Sequence, residues 1–204
     1  MTAARSLPVE DNPMGAGDFE GADTVVLHNE LAYQDVLPVQ WRTLVQAPDR
    51  YELGNFNDAN RLLLQACVAV EEQPIRDKHE ELTPLAAELA RLDLKLNLVL
   101  RLLESLIEKA PAAAAVPVQF NALGASWQQK TLIPPVGGRG ILSIRLRASL
   151  PQSLDLYAEV TDNHGGGMRA AFVDLAPPVA ELIQQFCFLK HRQRIAGARK
   201  SRNS

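Results

Sequence analysis

Between Thr24 and Trp41 the apolar residues come in short, dense groups: Val25, Val26 and Leu27, then Leu31, Tyr33, Val36, Leu37, Val39 and Trp41. This predicts one or two strands over 24–42, with Pro38 at an edge or bend because it has no N–H to give a sheet ladder. The period then lengthens to that of a helix. Ala59, Leu62, Leu63, Ala66 and Val70 recur at i, i+3, i+4, i+7 and i+11, with Asn57 or Asp58 as an N-cap and Pro74 as a stop. Next, Leu82, Leu85, Leu89, Leu92, Leu96, Val99, Leu103 and Leu106 are spaced 3, 4, 3, 4, 3, 4, 3, an unbroken a/d heptad series opened by Thr83-Pro84. The two patterns together predict a helical insertion over 56–110.

In a typical globular chain such a stripe covers the protein's own core. Here the e positions include Ala86, Leu100 and Ile107, and Leu94, Leu98 and Leu102 fall outside the seam, so the second half is apolar nearly all round. A helix of that kind must be buried on every side, one face on its own sheet and the seam on other copies. The eight heptad residues are therefore the candidate oligomerisation set.

After Pro111 and an alanine linker the alternation returns. Val116, Val118 and Phe120, then Leu142, Ile144 and Leu146 against Ser143, Arg145 and Arg147, then Leu154, Leu156 and Val160 predict a β-meander over 116–174, with a turn at Thr161–Gly167. Pro177-Pro178 opens a last helix, expected over 178–193, in which Val179, Leu182, Ile183, Phe186, Cys187 and Lys190 keep the helical period. Residues 1–22 mix Pro, Gly and acids and read as a disordered leader, and 195–204 as a basic disordered tail. One domain over 23–194 lies between them.

Composition narrows the chemistry. The 204 residues carry a formal net charge of −3, so the chain as a whole is a poor nucleic-acid binder. The heptad stretch is interrupted by Glu88, Arg91, Asp93, Lys95, Arg101 and Glu104, so no membrane span is expected. Cys67 and Cys187 sit in apolar helical runs and read most simply as free, buried thiols in a reducing compartment. His28, His79, His164 and His191 fall in four different segments without metal-ligand spacing, and neither a nucleophile elbow nor a P-loop occurs. No metal, no cofactor and no catalysis are expected. Arg139, Arg145 and Arg147 have the alternation that puts three guanidiniums on one sheet face, a candidate phosphate surface or a solvated outer face.

Four segments in order, Tyr33-Gln34-Asp35-Val36-Leu37-Pro38-Val39-Gln40-Trp41, the Arg91–Leu96 helix, Asn121-Ala122-Leu123-Gly124 and the terminal helix ending Phe186-Cys187-Phe188-Leu189-Lys190-His191-Arg192, resemble the PilZ family. The inserted helices resemble its atypical, tetramer-forming branch found in xanthomonads. The resemblance covers about 25–194 and implies an α+β fold: a small antiparallel β-barrel with two inserted long helices and a C-terminal helix. It also implies a cytoplasmic, non-enzymatic receptor or adaptor, homotetrameric, in cyclic di-GMP signalling linked to pilus or flagellar motility.

Typical members hold cyclic di-GMP with R-x-x-x-R before the first barrel strand and D/N-x-S-x-x-G on the next. Aligning Gly124 with the motif glycine puts Gln119 in the acid or amide position and Asn121 in the serine position, and no R-x-x-x-R precedes Val25 or Val116. Losing two charge-assisted hydrogen bonds weakens binding roughly 10²–10⁴-fold. The candidate ligand residues are thus Gln119, Asn121, Gly124, Arg139, Arg145 and Arg147, with cyclic di-GMP binding expected to be weak or absent. The alternative is an adaptor that binds only an unknown protein partner.

Overall fold

A computed structural model of the chain describes residues 23–72, 92, 96, 113–129, 133–147 and 152–202, apart from the side chains of 72 and 197–202. The expected leader and six of the eight heptad residues lie outside these.

The first apolar run divides at His28-Asn29, both with positive φ (51° and 61°), a two-residue turn whose twist suits a hairpin. It joins β1 (Asp23–Leu27) to β2 (Glu30–Thr43). β2 pairs with β3 (Ala115–Phe120) as far as Pro38, and from Val39 onward with β5 (Arg139–Ile144). Pro38 sits where the strand changes partner; its missing donor costs no ladder bond there, and its carbonyl accepts from Arg145 N–H at 3.0 Å. With β4 (Gly124–Gln128), β6 (Leu154–Asp162) and β7 (Gly167–Phe172), the order β2-β3-β4-β7-β6-β5 closes through the β2–β5 pairing. The result is a six-stranded antiparallel barrel, with β1 as a flap on β2. Closure leaves no free edge within the ring.

Alternate residues fill the barrel: Val118, Phe120, Trp127, Leu142, Ile144, Leu154, Leu156, Val160 and Met168 are all buried. Two helices seal it. α1 (Arg50–Glu72) buries Leu63, Leu64, Cys67 and Val68, and α2 (Pro177–Arg202) buries Val179, Ile183, Phe186 and Cys187. Tyr33 meets Phe120 and Phe186 edge-on, with centroids 5.8 and 5.2 Å away, which joins β2, β3 and α2 in one aromatic cluster.

Two boundaries and one buried face differ from the expectation. α1 starts at Arg50, because Asp49 and Glu52 form a reciprocal capping box: Asp49 Oδ1 accepts from Glu52 N–H at 2.8 Å, and Glu52 Oε2 accepts from Asp49 N–H at 3.1 Å. Its opening turns hold Leu53 and Phe56 on one side, but Gly54, Asn55, Asn57 and Asp58 come between them and the leucines, so the apolar period is weak there. Its buried face is also rotated from the expected one: Leu62 and Val70 are exposed, while Asn60 is buried and tied to β6 through Asp155 O (2.6 Å) and N–H (2.9 Å). Leu62-Leu63-Leu64 offers two apolar faces, and the Asn60 bonds select between them. Finally, α2 continues through residues 195–202, read above as tail; Ala196, Ala198, Arg199 and Lys200 favour helix, and cations suit its C-terminal dipole.

Candidate functional site

The β3–β4 hairpin brings Gln119, Asn121 and Gly124 together, but each is engaged inside the fold. Gln119 Nε2 donates to Oε1 of the buried Gln34 at 2.7 Å. Asn121 is 1% exposed; its Nδ2 donates to Leu27 O at 2.6 Å, and its Oδ1 accepts from the N–H groups of Leu123 (2.9 Å) and Gly124 (3.2 Å). The amide therefore builds the turn and ties it to the β1–β2 hairpin. Gly124 is required by close approach, since a Cβ there would run into the Ala170 carbonyl on β7.

The three arginines do not share one strand: β5 ends at Ile144, and Arg145 and Arg147 lie beyond it. Arg139 Nε donates to Glu159 Oε2 on the adjacent strand at 2.7 Å, and that hydrogen bond raises the guanidinium's pKa. Arg147 is ion-paired with Glu71.

Glu71 is the centre of the most connected polar cluster among the described residues. Its side chain, 7% exposed, accepts from Arg147, from Lys190 Nζ at 2.5 Å and from Gln193 Nε2 at 2.7 Å. Burial alone would raise its carboxyl, but the bonds from Lys190 and Gln193 and the charges of Lys190 and Arg147 outweigh this and hold it below the ordinary carboxylate value. The Lys190 ammonium also lies 5.8 Å from the Tyr33 ring centroid and 5.5 Å from that of Phe186. Sequence reasoning missed Glu71, because its partners are 76 and 119 positions away and no local pattern marks it.

Among the described residues, the other titratable groups are held in structural contacts. Burial, then the hydrogen bond to Asp35 (2.6 Å), pushes the Tyr33 hydroxyl up. Burial raises the Cys67 thiol and takes Cys187 up to about 12, so neither is a nucleophile near neutrality. His164 pairs with Asp162 on an exposed turn, and His191 Nδ1 bonds Thr24 Oγ1 at 2.7 Å. No group of His, Cys, Asp or Glu suited to a metal occurs among the described residues. No described helix is long and apolar enough to cross a membrane.

Of the heptad residues, Leu92 and Leu96 are described. Both are helical, and they are 56% and 61% exposed.

The family model described as "Atypical PilZ domain, cyclic di-GMP receptor" matches residues 64–200. No curated protein matches the chain. Among solved structures, a pathogenic protein from Xanthomonas campestris, described as a tetrameric PilZ domain self-assembled via an unusual helical bundle, superposes with a TM-score of 0.62. It is 20% identical, over 83% of this chain and 93% of that one, so the likeness is one of fold. With a family match over more than half its length and a closed six-stranded barrel sealed by helices, the chain belongs to the atypical PilZ domain family of cyclic di-GMP receptors.

Proposed function

We propose that the protein is a non-enzymatic, cytoplasmic adaptor of cyclic di-GMP-linked signalling that works as a homotetramer, and whose barrel does not hold the nucleotide through the two usual motifs. The observation that carries this reading is the internal use of the motif hairpin. Asn121 spends both ends of its amide on Leu27, Leu123 and Gly124, and Gln119 spends its donor on Gln34. Arg139 and Arg147, the cations a bis-phosphate would seek, face Glu159 and Glu71 instead. A phosphate would have to displace those carboxylates, losing bonds of the same strength as those it forms. A protein partner, in control of pilus or flagellar motility, is the ligand this barrel is left to hold.

Assembly follows from the heptad helix. Leu92 and Leu96 occupy d and a positions of the seam and are exposed in a single chain, so their burial needs another copy. The relative described as tetrameric through a helical bundle supports the same arrangement here.

Calorimetric titration of the purified chain with cyclic di-GMP to about 100 μM tests the nucleotide reading. A flat trace is expected; saturable binding below about 10 μM, some 7 kcal/mol, overturns it and makes the protein a direct receptor.

A further inference from the structure

Among the described strands only β1 has an unpaired side, since the ring closes between β2 and β5 and leaves β1 hydrogen-bonded to β2 alone. Which backbone groups face that side follows from β2. Val39 N–H donates to Ala114 O at 3.3 Å, so the odd-numbered residues of β2 bond toward β3 and the even-numbered ones toward β1. Asp23, Val25 and Leu27, opposite Gln34, Ala32 and Glu30, therefore bond to β2, and Thr24 and Val26 point their N–H and C=O groups outward. An edge of this kind is a template for another strand. Thr24-Val25-Val26 is β-branched throughout, which suits a strand, and Val26 is 73% exposed.

Helix α2 closes half of this edge. Both outward groups of Thr24 are taken by side chains: its N–H donates to Asp23 Oδ1, and its carbonyl accepts from Arg194 Nη1 at 3.2 Å. Arg194 is also ion-paired with Asp23, and His191, one turn earlier on α2, meets Thr24 Oγ1 at 2.7 Å. Val26 has no such bond among the described residues. We propose that the outer edge of β1 is a pairing surface for β1 of a second copy, and that Arg194 holds it shut. The edge is complementary to itself. With Val25 of two copies facing each other across a two-fold axis, Thr24 of each lies opposite Val26 of the other, and this antiparallel register alone satisfies all four outward groups of both strands. The clasp on Thr24 occupies two of those four groups, so copies are kept apart at this edge while Arg194 is seated.

Disulfide trapping in the full chain decides it. Val25→Cys places two thiols at the axis, in a pair without backbone hydrogen bonds whose Cα atoms lie about 4.5 Å apart, within disulfide reach. Val26→Cys places them about 8 Å apart, out of reach. Under mild oxidation, Val25→Cys is expected to give at least about tenfold more linked dimer when combined with Asp23→Ala and Arg194→Ala than when alone, because a charged hydrogen bond no longer holds the edge. The same combination with Val26→Cys is expected to give no more than the chain carrying only Cys67 and Cys187. Equal linking with and without the clasp overturns the proposal, and so does equal linking at 25 and 26. In the Asp23→Ala, Arg194→Ala chain the Val25 and Leu27 amides, which bond to β2, are expected to keep their protection from hydrogen exchange. Loss of that protection overturns it too, because Arg194 would then anchor β1 rather than guard its edge.

Discussion

Glu71 and Lys190 are 119 positions apart in the chain, yet the carboxylate of one lies 2.5 Å from the ammonium of the other. The bond joins the last turn of α1 to α2, and Arg147 brings the segment after β5 to the same carboxylate. α1 ends one residue later, at Glu72, so the cluster fixes the end of that helix against α2.

Glu71→Gln leaves the Lys190 and Arg147 charges facing each other at a nearly buried site and is expected to cost about 2–4 kcal/mol in urea unfolding at neutral pH. The sign with pH follows from the lowered carboxyl. A group depressed in the folded chain stabilises fully above its unfolded pKa, and the contribution is lost as pH falls through the folded one. The difference in stability between wild type and Glu71→Gln should therefore shrink between pH 7 and about pH 3. A difference that stays constant would show that Glu71 acts by packing alone.

The motif hairpin gives a second prediction. Asn121→Ala strips partners from the buried carbonyl of Leu27 and the turn N–H groups, at a cost of about 2–3 kcal/mol. Gly124→Ala drives a methyl into the backbone of Ala170, which cannot move aside as a side chain could, at a cost of about 1–3 kcal/mol. Thermal unfolding checks both. Wild-type stability in either variant would return these residues to the list of free ligand groups.

The thiols should be silent in the folded protein. Cys67 and Cys187 are free and buried, and burial raises both. At pH 8 a thiol-exchange reagent is expected to titrate neither until denaturant is added, since thiolate is the reacting form. Rapid reaction of one thiol in native buffer would expose a route into the α1–α2 seam.

Much of this architecture is legible from local pattern. The alternation of Leu142, Ile144, Leu154 and Leu156 marks the meander, and Pro177-Pro178 opens α2 where expected, because period and turn chemistry act over a few residues. Barrel closure, which rests on β2 changing partner at Pro38, shows locally only as a proline at a bend. The site was less legible for the same reason. Arg139 and Arg147 have the spacing of a shared face, but the strand stops at Ile144, and their carboxylates come from elements 20 and 76 positions away. Asp49 and Glu52 did carry a capping signal in sequence, hidden because Gly54, Asn55, Asn57 and Asp58 dilute the apolar stripe that Leu53 and Phe56 begin.

The heptad seam makes the last prediction. Leu92 and Leu96 are 56% and 61% exposed, so charges placed there touch little of the chain's own core. In the proposed assembly the same positions would face neighbouring copies, where each buried leucine contributes about 1.5–3 kcal/mol. Leu92→Glu with Leu96→Glu removes that contribution and sets like charges across the seam. Light scattering should then fall from a multiple of the 22.4 kDa chain to a single chain, with the melting of the barrel little changed. An unchanged solution mass would remove the seam as the assembly surface. A variant that unfolds at low temperature would instead place these leucines in the chain's own core, against their exposure here.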